Sequence, residues 1–176
     1  MNLVEKPECW TWITSTGGPL VLMTKTTAQT WCGVFGTSAD QKAQSDYDRA
    51  CLVDGYVGLI YSNEEPVIVL GQEPLFTTWY SNSSSEGTIV RCVWANDLKS
   101  TETEFYAFES LTGWENTDVV VDFPNGHLVL FDSSAYGSNM EEWIEVKLDP
   151  GRYFIKTLFF EADESTKFLL HRFSSS

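Results

Sequence analysis

Between Trp10 and Phe173 the sequence is cut into short apolar runs by turn residues, and this rhythm limits the fold more than any other feature. "PLVLMT" (19–24), "YVGLIYS" (56–62), "PVIVLG" (66–71), "PLFTTWY" (74–80), "TIVRCVWA" (88–95), "TDVVVDF" (117–123), "HLVLFDS" (127–133), "WIEVKLD" (143–149), "GRYFIKTLFF" (151–160) and "KFLLHRF" (167–173) are each too short for a typical buried helix and rich in β-branched and aromatic residues. The separators "NEE", "SNSSSEG", "PNG", "SAYGSN", "PG" and "ADEST" supply turn chemistry. "WTWITS" (10–15), joined to 19–24 through Gly17-Gly18, is expected to add a further hairpin arm.

One stretch breaks the pattern. In "NDLKSTETEFYAFESLTGW" the residues Leu98, Phe105, Phe108 and Leu111 fall at helical spacing, Thr101 and Glu104 have capping-box form, and Gly113 offers a stop. Residues 25–46 are polar and glycine-punctuated and are expected to form a loop with a short helical turn. The fold class expected is α+β and β-rich: antiparallel sheets of about ten strands built from hairpins, with one main helix near 97–111. With 176 residues, 43% of them hydrophobic, one domain spanning 1–176 is expected.

Side-chain alternation separates buried strands from half-exposed ones. In "TIVRCVWA" both faces are apolar apart from Arg91, so that strand is expected to be central and covered on both sides. In "WIEVKLD" Ile144, Val146 and Leu148 point inward while Glu145 and Lys147 point to solvent.

Residues suited to catalysis are few. The four cysteines, Cys9, Cys32, Cys51 and Cys92, form no CxxC pair and are expected to be reduced and mostly buried. His127 and His171 are the only histidines, and neither lies near a cysteine in a form that would make a thiolate. No zinc spacing, calcium loop or phosphate-binding glycine loop is complete, so no metal or cofactor is expected. The densest polar cluster is "SDYDRACLVDG". There Asp46, Tyr47, Asp48 and Arg49, joined by a buried Arg91, are expected to make a structural polar corner in which the carboxylates accept turn N–H groups and pair with an arginine.

Charge limits the partners. The formal charge is −14, and residues 61–122 hold Arg91 and Lys99 against eleven acidic residues. Such a surface repels nucleic acid and anionic membranes, and neither is expected as a partner. It suits a basic protein, although acidity alone also serves solubility. If the acids bind a partner, Glu102, Glu104, Glu109, Glu115 and Asp118 are the expected contacts, on and just beyond the helix. The opening "MNLVEKPECW" has no basic stretch followed by an apolar one, so a cytoplasmic location without a signal peptide is expected.

The ordered set "WITSTGGPLVLM", "DYDRACLVDGYVGLI", "VIVLGQEPLFTTW", "GTIVRCVWA", "HLVLFDS" and "LDPGRYFIKT…TKFLLHRF" resembles the immunity protein 21 family of bacterial polymorphic toxin systems, from Trp12 to Phe173. Cys92 stands where an aromatic residue is more usual in that family. The resemblance implies a non-enzymatic cytoplasmic protein that binds a cognate toxin and blocks it, with no catalytic residues. A β-rich carbohydrate-binding module and a hydrolase with an unrecognised site are the competing readings.

Overall fold

A computed structural model describes residues 10–36 and 44–176. Ten strands follow one another: β1 (Leu20–Thr24), β2 (Gly58–Ser62), β3 (Glu65–Leu70), β4 (Phe76–Ser83), β5 (Glu86–Trp94), β6 (Glu115–Phe123), β7 (His127–Asp132), β8 (Trp143–Lys147), β9 (Gly151–Asp163) and β10 (Thr166–Ser175). They form two five-stranded sheets, ordered β2-β3-β1-β7-β8 and β4-β5-β10-β9-β6, with antiparallel pairing throughout. Three short α-helices, α1 (Lys25–Ala28), α2 (Asp46–Cys51) and α3 (Leu98–Thr101), lie in the connections. The architecture is the β-rich α+β arrangement that the run lengths indicate.

The sheets face each other across a core that takes Leu22, Ile68, Leu128 and Leu130 from the first sheet and Ile89, Val121, Ile155 and Phe173 from the second. Each outer face is also covered. α1, α2 and Trp31 pack on Val21, Met23, Val69 and Val129 of the first sheet. Phe105 and Phe108 pack on Val90, Cys92, Phe168 and Leu170 of the second. This double coverage is why "LVLM" and "TIVRC" are apolar on both faces. β8, by contrast, is an edge strand and alternates as its sequence does, with Ile144 and Val146 buried and Glu145 and Lys147 exposed.

Turns follow local chemistry. Asn63 and Glu64 both have positive φ, 50° and 69°, as a two-residue hairpin turn between β2 and β3 requires. A Cβ at Gly87 would meet the Trp79 indole at 2.1 Å, so only glycine lets that ring lie across β5. The "PNG" turn does not close a hairpin: β6 and β7 belong to different sheets.

Two details differ from expectation: the strand that residues 10–15 meet, and the capping box of the main helix. Residues 10–15 are not a hairpin arm against β1, because β1 already has β3 and β7 as neighbours. Ile13 instead makes an isolated bridge to Thr77 on the edge strand β4, and Trp10 and Trp12 rest on Phe105 with ring centroids 5.0 and 5.9 Å away. Apolar burial against that phenylalanine replaces a ladder that β1 cannot offer. The main helix lies where it is expected, over residues 98–110, and within it α3 passes into a 3₁₀ helix over Glu102–Ser110. The spacing of Phe105, Phe108 and Leu111 is three, which aligns them along one edge of a three-residue helix. The cap is Asp97, whose carboxylate accepts the Ser100 N–H at 2.9 Å. No Thr101–Glu104 capping box forms, and the Thr101 hydroxyl donates to the Leu98 carbonyl at 2.6 Å.

Candidate functional site

The cluster around Asp46 is a helix start. Ser45 caps α2: its hydroxyl accepts the Asp48 N–H at 3.1 Å while the Asp48 carboxylate accepts the Ser45 N–H at 3.0 Å. Arg49 pairs with Asp46 one turn back, and the Ser62 hydroxyl donates to the same carboxylate. That last bond ties α2 to the end of β2, while Ala50 and Tyr47 pack beneath. A hydrogen bond with Cys51, followed by burial, raises the pKa of the Tyr47 phenol.

Two expectations about this corner are corrected. Cys51 is exposed, as is Cys32; of the described thiols only Cys92 is buried, and burial raises its pKa. Position 51 falls at the outward-facing end of α2, so it does not act as a core residue. Cys9 lies outside the described residues. Arg91 does not join the corner either. Its Nη1 donates to the Tyr56 carbonyl at 3.1 Å, and its Nη2 to those of Gly71 and Glu73, both at 2.9 Å. These acceptors come from the α2–β2 and β3–β4 connections, which therefore close over β5 around one guanidinium. A buried cation finds carbonyl dipoles here in place of a carboxylate. Burial lowers the Arg91 pKa to about 10, which leaves it charged at neutral pH.

Arg91 lines a pocket of about 230 Å³ together with Tyr56, Gln72, Glu73, Leu75, Val93, Phe159 and Leu169. Tyr56 and Phe159 are 45% and 44% exposed and meet edge to face at 5.3 Å. Nothing in the sequence marks this pair, because Phe159 reads as one more alternating residue of β9. His171 shares the inner face of the second sheet and is fully buried, with Nδ1 2.9 Å from the Thr157 hydroxyl. Burial, reinforced by the Arg91 charge, holds its pKa well below the usual 6.5. His127, the other histidine, is exposed at the start of β7.

The acidic residues divide by environment. Glu102 is half-buried and accepts the Trp12 indole N–H at 3.1 Å. Glu104 is half-buried, while Glu109 on the 3₁₀ helix and Glu115 and Asp118 on the edge strand β6 are exposed. Among the described residues none of these five carboxylates makes an ion pair. The pKa of the Tyr80 hydroxyl is raised by burial and then by Glu109.

A wider groove of about 640 Å³ opens between α1 and the β7–β8 connection, lined by Lys25, Gln29, Met140 and Trp143 among others. In that connection Tyr136 stacks on Phe35 at 4.8 Å, both rings exposed. Among the described residues, no group of three or more His, Cys, Asp or Glu is placed to hold a metal ion, and no helix is long and apolar enough to cross a membrane.

The family model described as immunity protein 21 matches residues 11–166. No curated protein and no solved structure matches the chain.

Proposed function

The chain belongs to the immunity protein 21 family, and from that membership we propose that it binds a cognate protein toxin and neutralises it in the cytoplasm of the cell that makes both. Binding, not catalysis, is the mode of action, and no cofactor takes part. The family match over residues 11–166 is the observation that carries this reading.

The surface proposed for the toxin is the acidic stretch 102–118. Exposed carboxylates without cationic partners add little to fold stability, yet they accelerate encounter with a basic protein and select for it. Glu109, Glu115 and Asp118 are free to serve in this way, with Glu104 beside them. Glu102 contributes charge while holding Trp12. Asp46, Tyr47, Asp48 and Arg49 are assigned a structural role, because Asp46 fastens α2 to β2 through Ser62 while Arg49 and Asp48 bond within α2 and its cap and Tyr47 packs beneath.

Co-expression with the toxin encoded beside it tests the proposal. The two proteins are expected to co-purify as a stable complex. Separate elution of folded toxin and folded chain at micromolar concentration would refute it.

A further inference from the structure

Arg91 is a buried cation with no counter-ion among the described residues. It is 2% exposed, and none of the ion pairs involves it. Of its five N–H donors, three are taken by the carbonyls of Tyr56, Gly71 and Glu73, and Nε has no acceptor among the described residues. Buried charges are ordinarily paired with an opposite charge. The omission stands out in a chain with 25 acidic residues against 11 basic ones. His171, on the same sheet face, feels the Arg91 charge and supplies no negative charge.

Beside this guanidinium lies the pocket of about 230 Å³ rimmed by Tyr56 and Phe159, with Val93 and Leu169 on its sheet side. That volume is below the range of drug-sized sites and suits a single side chain or a small molecule. We propose that the pocket is a binding site for a monocarboxylate with an apolar body: the body lies against Tyr56 and Phe159, and the carboxylate supplies the charge that Arg91 lacks.

The chemistry selects a single negative charge. Among the described residues Arg91 is the only cation lining the pocket, and the one acidic residue in that lining, Glu73, is exposed to solvent while Arg91 is buried. Lys167 sits over the Phe159 ring at 5.3 Å but does not line the pocket, and its Nζ is paired with Glu161 at 2.8 Å. A phosphate would therefore bring more charge than the pocket can match. Two sources offer the right group, namely an acidic side chain on a protein partner and a free small carboxylate. The site does not depend on the toxin-binding proposal and stands or falls separately from it.

The test follows the Arg91 Nε–H signal by NMR in the full ¹⁵N-labelled chain, during titration with benzoate and, in parallel, with the neutral analogue benzyl alcohol. Benzoate is expected to shift that signal saturably, with an affinity at least several-fold above that of benzyl alcohol. Phe159→Ala and Tyr56→Ala, which leave the backbone carbonyls around Arg91 in place, are expected to weaken benzoate several-fold while the fold is retained. Equal responses to the two ligands, or no response to benzoate, would overturn the proposal, as would binding unaltered in both variants. Addition of the cognate toxin then identifies the source. Displacement of benzoate assigns the carboxylate to the partner protein, and co-occupancy assigns it to a small molecule.

Discussion

The Arg91 guanidinium holds the carbonyl oxygen of Tyr56 at 3.1 Å, across 35 residues of sequence, and so fixes the α2–β2 connection over the second sheet. Removal of the side chain would strand that carbonyl together with those of Gly71 and Glu73. Arg91→Ala is therefore expected to lower stability by about 1–3 kcal/mol for each carbonyl left buried without a donor. Arg91→Lys should recover only part of this, since an ammonium cannot span three acceptors as a planar fork does. Urea unfolding is the check, and an unchanged midpoint for Arg91→Ala would contradict the role given to this residue.

His171 makes stability depend on pH. Its folded pKa lies below the usual 6.5 because of burial and then Arg91, so below pH 6.5 the unfolded chain takes up a proton that the folded chain refuses. This contribution is complete above pH 6.5 and is lost as pH falls toward the folded pKa, with a slope of up to about 1.4 kcal/mol per pH unit. Unfolding midpoints are expected to drop between pH 7.5 and 5.5, and His171→Gln should flatten that drop. An equal drop in the variant would assign the effect to other groups.

The thiols should divide by exposure. In a Cys9→Ser background, Cys32 and Cys51 are expected to react with a disulfide reagent within seconds, and Cys92 only as the protein unfolds. Cys51→Ala should cost under about 1 kcal/mol, as at other exposed positions. Fast modification of Cys92 in the native state would show that the 3₁₀ segment does not cover β5.

Much of this fold is legible in the sequence because sheets covered on both faces leave short, doubly apolar runs, as in β1 and β5. The alternation of β8 likewise gives its edge position away. Partner choice is harder to read. Ile13 bridges Thr77 although a Gly-Gly turn links residues 10–15 directly to β1, and local turn chemistry carries no information on which strand already has both neighbours. Nor does a buried arginine reveal its acceptors. An aspartate at 46 or 48 looks suitable by charge, yet three carbonyls brought in by two loops do the work. The pocket beside Arg91 was illegible for the same reason: Tyr56 and Phe159 stand far apart in sequence, and only the packing of the loop against β9 brings their rings together.

The acidic stretch can be tested apart from the fold. Glu109, Glu115 and Asp118 are exposed and unpaired among the described residues, so reversing all three to lysine should leave the melting temperature nearly unchanged. Glu102 is left intact in this variant because it accepts the Trp12 indole N–H. Association with the toxin is expected to slow roughly tenfold at low salt, and added salt should narrow the difference by screening. An unchanged association rate at low salt would move the contact elsewhere, with the Phe35–Tyr136 stack and its adjacent groove as the next surface to probe.

Titration of the cognate toxin's activity with the purified chain bears most directly on the immunity role. With toxin well above the dissociation constant, activity is expected to fall linearly and reach its floor near one equivalent of the chain. Toxin that remains fully active in the presence of a large excess of folded chain would contradict neutralisation by binding.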